Sequence, residues 1–189
     1  MDVGKFFNDW FTSNKQSQRQ TVAKTSGTVV DARQPPAFDM EGYLTKLEMV
    51  ESSGGKNLKS RTSSASGAHQ YTEDTWKDIT KRMGVNYSLE DRFDYNKSRE
   101  VTKFATQRNI ELLEQTLGRM PNLTEVYMAH KLGRNGAIKF FQAKPTATID
   151  TIVSSQALKA NKAVFFNDKG KPKPAASVFE FFDTKFNEK

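Results

Sequence analysis

Cysteine is absent from the 189 residues, which excludes disulfides and thiolate metal sites and leaves the redox compartment open. Histidine is scarce, with only His69 and His130. A metal would have to rest on carboxylates, and no calcium-loop or zinc-protease spacing occurs, so neither a metal nor another cofactor is expected. No apolar run approaches the roughly 18 residues of a membrane span, so no transmembrane segment is expected. The stretch Met1–Trp10 lacks the basic region and long apolar segment of a secretory signal, which points to synthesis in the cytoplasm without a signal peptide. A phosphate-cradling glycine loop is missing as well: Gly133-Arg-Asn-Gly136 has neither a preceding strand nor a lysine-serine ending.

What is present is a modest apolar fraction, 36%, to which fourteen phenylalanines contribute. Twenty-nine basic and 22 acidic side chains give a formal net charge of +7. That balance favours encounter with polyanions, which include nucleic acid, acidic membranes and anionic wall polymers. The densest basic runs, 56–61 and 169–173, are short and carry little aromatic interleaving, so specific nucleic-acid binding is not expected.

Periodicity predicts a mainly α-helical chain in two parts. Residues 1–37 read as an N-terminal extension: a short amphipathic helix with Phe6, Phe7, Trp10 and Phe11, then a polar linker ending in Pro35-Pro36. Residues 38–189 read as one helical domain with little or no sheet. Asp39 is placed as an N-cap, followed by Tyr43, Leu44, Leu47 and Val50 at helical spacing. A second helix starts after Thr72, carries Trp76, Ile79, Thr80 and Met83, and stops at Gly84. Asn86–Tyr95 reads as turn, and a long helix as 98–117. Thr124 is placed as the cap of the next helix, with Gly133 and Gly136 framing a tight turn before 137–143. Short helices are expected over 149–153 and 155–161, and a last one over 177–186. Extended chain is expected at 163–166 and 67–71.

Three carboxylates, Glu41, Glu48 and Glu51, lie in or near the first of these helices. Glu48 and Glu51 are three residues apart and neighbours on its surface. Inverting glycosidases hold two carboxyls about 6.5–9.5 Å apart and retaining ones about 5–5.5 Å, but across the sugar from each other. One helix face does not supply that arrangement, and acidic pairs at this spacing are usually solvated surface. Glu51 differs in its surroundings: it lies one turn past Leu47 and is followed at once by Ser52-Ser-Gly-Gly55. At the edge of the buried stripe, partial desolvation is expected to raise its pKa toward that of a general acid. Beyond it, Ser63-Ser-Ala-Ser-Gly67 is either plain surface loop or a place where a chain approaches the backbone closely. Gln70 offers a donor and an acceptor, and Tyr71 a flat ring with a hydroxyl. Trp76 sits on the apolar stripe and reads as core.

Two blocks carry a family resemblance. The first is Glu51-Ser-Ser-Gly-Gly55 followed by Thr62-Ser-Ser-Ala-Ser-Gly-Ala-His-Gln-Tyr-Thr-Glu-Asp-Thr-Trp76. The second runs from Leu117-Gly-Arg119 through Pro121-Asn-Leu-Thr-Glu-Val-Tyr-Met-Ala-His-Lys-Leu-Gly-Arg-Asn-Gly-Ala-Ile-Lys-Phe140. Together they resemble the lysozyme-like domain of soluble lytic murein transglycosylases, and more closely the transglycosylase-like proteins of bacteriophages and prophages. The resemblance covers about residues 38–186. Ser53 stands where glycine is more usual and Tyr71 where phenylalanine is. Met128 and His130 replace the asparagine and glycine of the broader family's Ala-Tyr-Asn-Ala-Gly motif.

The resemblance implies an α+β lysozyme-like fold and a peptidoglycan-cleaving activity. By that implication Glu51 protonates the oxygen joining N-acetylmuramic acid to N-acetylglucosamine. It then takes the proton of the muramic acid's own C6 hydroxyl as that oxygen closes a 1,6-anhydro ring. An intramolecular, already oriented nucleophile removes the need for a second carboxylate. Ser66, Gln70, Tyr71 and Tyr127 are implied to bind the glycan, Ser66 and Gln70 by positioning sugars and Tyr127 by hydrogen-bonding near Glu51. The implied partners are glycan strands of peptidoglycan and, through residues 1–37, other virion proteins. The implied location is the virion, acting on the host wall or periplasm. A muramidase-type endolysin and an inactive lysozyme-fold virion protein are the alternatives.

Overall fold

The computed structural model describes residues 38–188; the expected helix and linker within residues 1–37 lie outside the described residues. The described chain is mainly α-helical, and among the described residues the only β pairing is four isolated antiparallel bridges. It divides into two compact units. One comprises Phe38–Gln142 with Phe181–Lys189, and the other takes in Ala143–Glu180.

The first unit holds every site residue named above. Helix α1 (Met40–Ser52) starts where Asp39 accepts a hydrogen bond from the Gly42 N–H, as its sequence predicts. It buries Tyr43, Leu44 and Leu47, whose 3–4 spacing puts them on one face. Its end is a left-handed Ser53 (φ 56°, ψ 45°), followed by Gly54 and Gly55 at φ 70° and 78°. Three consecutive positive φ values explain the small residues after Glu51. Helix α2 (Glu73–Met83) is capped by Thr72 and closed by Gly84 at φ 76°. Its Trp76 is fully buried and donates its indole N–H to the Ser88 carbonyl at 2.8 Å, so it is core.

Helix α3 (Tyr95–Leu117) begins one turn earlier than its apolar pattern predicts. Asp94 supplies the cap by accepting from the Lys97 N–H at 3.0 Å. Helix α4 (Leu123–Gln142) is capped by Asn122 rather than Thr124. Asn122 Oδ1 accepts from the Glu125 N–H at 2.9 Å, and the Glu125 carboxylate accepts from the Asn122 N–H at 2.8 Å. That reciprocal pair is a capping box, and Thr124 instead donates its hydroxyl to Asp183 at 2.6 Å. Gly133 (φ 71°, ψ 165°) breaks α4, so the expected tight turn is a kink between two helical arms.

The buried apolar side chains of this unit include Leu44 and Leu47 of α1, Ile110 and Leu113 of α3, and Val126–Met128 of α4, while Val101 of α3 clusters with Tyr71 and Trp76. The last turns of helix α7 (Ala175–Asn187) add Phe182 and Phe186. Tyr127 stacks on Phe186 with centroids 4.8 Å apart and meets Phe182 edge-on at 5.8 Å. Each such ring contributes on the order of 1.5–3 kcal/mol by burial.

In the second unit, a single 3-10 turn at Ile149–Thr151 precedes α5 (Ser155–Ala160) and α6 (Lys162–Phe165). The extended chain expected at 163–166 is therefore helical except at Phe166 (φ −118°, ψ 150°), where the bridge to Pro172 forms. Ile149, Phe165 and Val178 are its fully buried apolar side chains.

Candidate functional site

Glu51 lies in the last turn of α1, and its side chain is only 7% exposed. Its buried neighbour Ser52 ties down the loop that follows. The Ser52 hydroxyl donates to the Glu48 carbonyl at 3.0 Å and accepts from the Gly55 N–H at 2.9 Å. The Ser52 carbonyl accepts from the Asn57 N–H at 2.9 Å. The glycine-bearing segment is thereby a folded turn anchored on the helix that carries the carboxylate.

The loop then doubles back. Gly67 N–H donates to Leu58 O at 2.8 Å, and Ser66 pairs with both Lys59 and Tyr71 through isolated bridges. Residues 67–70 are a turn between these contacts, so the extended conformation expected over 67–71 is confined to the bridge positions. Arg92, a buried cation, holds the loop from outside. Its guanidinium donates to Ser64 O at 2.8 Å, Leu89 O at 2.8 Å and Tyr71 O at 3.3 Å.

Ser66 is half-buried, and its hydroxyl donates to Ser64 O at 3.3 Å. Gln70 takes a left-handed backbone (φ 52°), and its side-chain amide donates to Asn57 O at 3.1 Å and Gly67 O at 2.9 Å. Its donor is thus committed to the loop's own backbone. Tyr71 is 4% exposed, packed against Trp76 and edge-on to His130 at 5.4 Å. Tyr127 is fully buried.

Tyr127, His130 and Lys131 are spaced three and four residues apart, on one face of the first arm of α4. Lys131 Nζ donates to both oxygens of Glu51 at 3.1 Å. Burial taken alone raises the Glu51 pKa, as its sequence predicts. The Lys131 charge, His130, the Lys131 hydrogen bonds and Lys185 together outweigh it and hold Glu51 below the ordinary carboxylate value of 4.5. The expected upward shift is therefore reversed, because the fold brings the Lys131 ammonium, eighty residues away in the chain, onto this carboxylate.

The histidines and tyrosines around the pair are neutral. Burial pushes His69 down to about 3 and His130 to about 4. Burial and the Glu51 charge push the hydroxyls of Tyr43, Tyr71 and Tyr127 well above 10. Those three hydroxyls and His69 Nε2 are buried without a hydrogen bond of ordinary geometry. Glu51 acts on the Tyr127 hydroxyl by close approach as well as by charge. His69 Nδ1 is 2.9 Å from the Ser98 hydroxyl. The result is one carboxylate under the influence of two ammonium groups, those of Lys131 and, more weakly, Lys185, with neutral histidines and tyrosines beside it.

The other two acids of α1 and the buried Glu125 are engaged elsewhere. Glu41 pairs with Arg99 at 2.8 Å and Lys103 at 3.2 Å, and Glu48 lies 4.0 Å from Arg99. Glu125, fully buried, serves the capping box and a two-pronged pair with Arg119 at 2.7 and 2.9 Å. No group of three or more His, Asp or Glu side chains with metal-holding geometry occurs among the described residues. None of their helices is long and apolar enough to cross a membrane.

No protein-family model matches the chain.

Proposed function

We propose that the protein is a peptidoglycan lytic transglycosylase of lysozyme-like fold, carried by a phage virion, in which Glu51 is the single acid and base. The observation that carries this reading is one nearly buried carboxylate at a helix end, joined to a folded loop of small residues, in a chain whose two sequence blocks resemble that family. Single-carboxylate chemistry suits the site because the other first-helix acids, Glu41 and Glu48, pair with Arg99 and Lys103 of α3, whereas Glu51 alone faces Lys131 of α4.

The reaction proceeds in two proton transfers. Protonated Glu51 gives its proton to the glycosidic oxygen as the C1–O bond of muramic acid breaks. Glu51, now a carboxylate, takes the proton of the C6 hydroxyl as its oxygen bonds to C1. No water is consumed, and the carboxyl ends as it began. Proton transfer from a positioned group contributes roughly 10²–10⁴-fold. Tyr43, Tyr71 and Tyr127, whose hydroxyls feel the Glu51 charge, stay neutral and bring no competing charge to it.

The Lys131 pair favours one competing reading, an inactive virion structural protein, since it leaves Glu51 ionised at rest. Digestion of purified murein separates the two. Wild type is expected to release soluble muropeptides and Glu51→Gln is not; no release by wild type would refute the enzymatic reading.

A further inference from the structure

The acid step needs a proton on Glu51, while the structure shows both its oxygens taken by an ammonium. Lys131 is not a fixed part of the core. Its side chain is 24% exposed where that of Glu51 is 7%. It ends on a flexible four-carbon stem, two residues before the Gly133 kink. An ammonium on such a stem reaches solvent by rotation, whereas the carboxylate is held by its helix and the buried Ser52 turn.

We propose that Lys131 is a displaceable counter-ion latch: it occupies Glu51 in the uncomplexed protein, and an arriving glycan strand pushes it aside before Glu51 can act as an acid. This rests on the transglycosylase reading and deepens it. With the ammonium gone, the groups facing Glu51 are Tyr43 on its own helix, His69 and Tyr71 on the loop, Tyr127 and His130 on α4, and Lys185 on α7. The tyrosines and histidines are neutral at pH 7, so Lys185 is the one cation left among them. Burial, which opposes the charged form, then gains weight, and the carboxyl takes up a proton at higher pH. The latch keeps the carboxylate solvated by a charge when no substrate is present and couples acid formation to substrate arrival.

The test compares kcat/KM and kcat as functions of pH, because the first reports ionisations of the free enzyme and the second those of the complex. Wild type, Lys131→Met and Lys131→Arg are assayed on soluble glycan strands. An opposite charge at this range generally shifts a carboxyl by roughly 1–3 units, so Lys131→Met should raise kcat/KM at neutral pH by about tenfold or more. Its alkaline limb in kcat/KM moves to higher pH, while the kcat limb stays where wild type has it. Lys131→Arg, which keeps the cation, restores the wild-type kcat/KM limb. An unshifted kcat/KM limb, or limbs shifted equally in both profiles, overturns the latch.

Failure of the underlying reading looks different: wild type then gives no anhydro product at any pH. Titration of the Glu51 carboxyl by carbon NMR on the full chain reads the pair without turnover. A higher pKa in Lys131→Met than in wild type is the expected result. An unchanged value overturns the latch even in a protein that releases no muropeptide.

Discussion

The ammonium of Lys131 stands 3.1 Å from each oxygen of Glu51, a contact between residues eighty positions apart. It joins the end of α1 to the face of α4 that also carries Tyr127 and His130. Glu51→Gln removes the charge and keeps the shape. Activity on murein is expected to fall by at least about 10²-fold. Lys131, partly exposed, turns to solvent, so the loss of stability stays below about 2 kcal/mol. Denaturant melts and muropeptide release check the two halves separately; a collapse of stability in this variant would show Glu51 to be a structural charge.

The two histidines set the acid limit of the fold. Their ordinary value is 6.5, and in the folded protein His69 lies at about 3 and His130 at about 4. The unfolded chain binds protons near pH 6.5 that the folded chain refuses until far lower pH. Stability from the neutral rings is therefore complete above about pH 6.5 and lost progressively as pH falls toward 4. Glu51 adds a loss of the same sign at lower pH, its pKa lying below 4.5. Between about pH 6 and 5 the slope of unfolding free energy against pH approaches two protons, and His130→Gln lowers it by about one. An unchanged slope in that variant contradicts the placement of His130.

Tyr43 is 1% exposed, and its hydroxyl is buried without a hydrogen-bond partner. Leaving such a group unsatisfied costs about 1–3 kcal/mol. Tyr43→Phe keeps the ring contacts with Phe38 and Phe186 and removes the orphaned hydroxyl. Thermal melting should show an unchanged or higher midpoint. A clear drop would mean that the hydroxyl has a partner in solution.

Gly67 combines φ 81° with a side-chain position that would run into the Arg92 carbonyl oxygen. Neither the backbone nor that carbonyl yields easily, because the Arg92 side chain is itself tied to two loop carbonyls, Ser64 and Tyr71, and to Leu89 O. Gly67→Ala should cost about 2–4 kcal/mol in urea unfolding. It should also lower activity by disturbing the loop that carries Ser66 and Gln70. A loss under about 0.5 kcal/mol would contradict this packing.

Much of this was legible in local chemistry. Asp39 and Thr72 mark helix starts because a short side-chain oxygen before an apolar period satisfies free N–H groups. Gly84 and Gly118 mark helix ends because the left-handed residue that closes a helix favours glycine. The Asn122–Glu125 capping box was present in the sequence, but Thr124, two residues past Asn122, offered the same capping chemistry. Asp94 was hidden in a polar stretch that read as turn. Arg92 resembled any loop charge until its carbonyl partners came together. Lys131 carried no local signal at all: its spacing to Tyr127 and His130 placed the three on one face, but only the fold shows that this face meets Glu51.

Under the proposed chemistry Glu51 closes an anhydro ring without water, and digestion of purified murein in heavy-oxygen water separates that outcome from hydrolysis. Mass spectrometry of the released muropeptides should show 1,6-anhydro ends, lighter by one water than hydrolysis products and free of the heavy isotope. Reducing ends carrying heavy oxygen would contradict anhydro-ring closure and make the protein a muramidase.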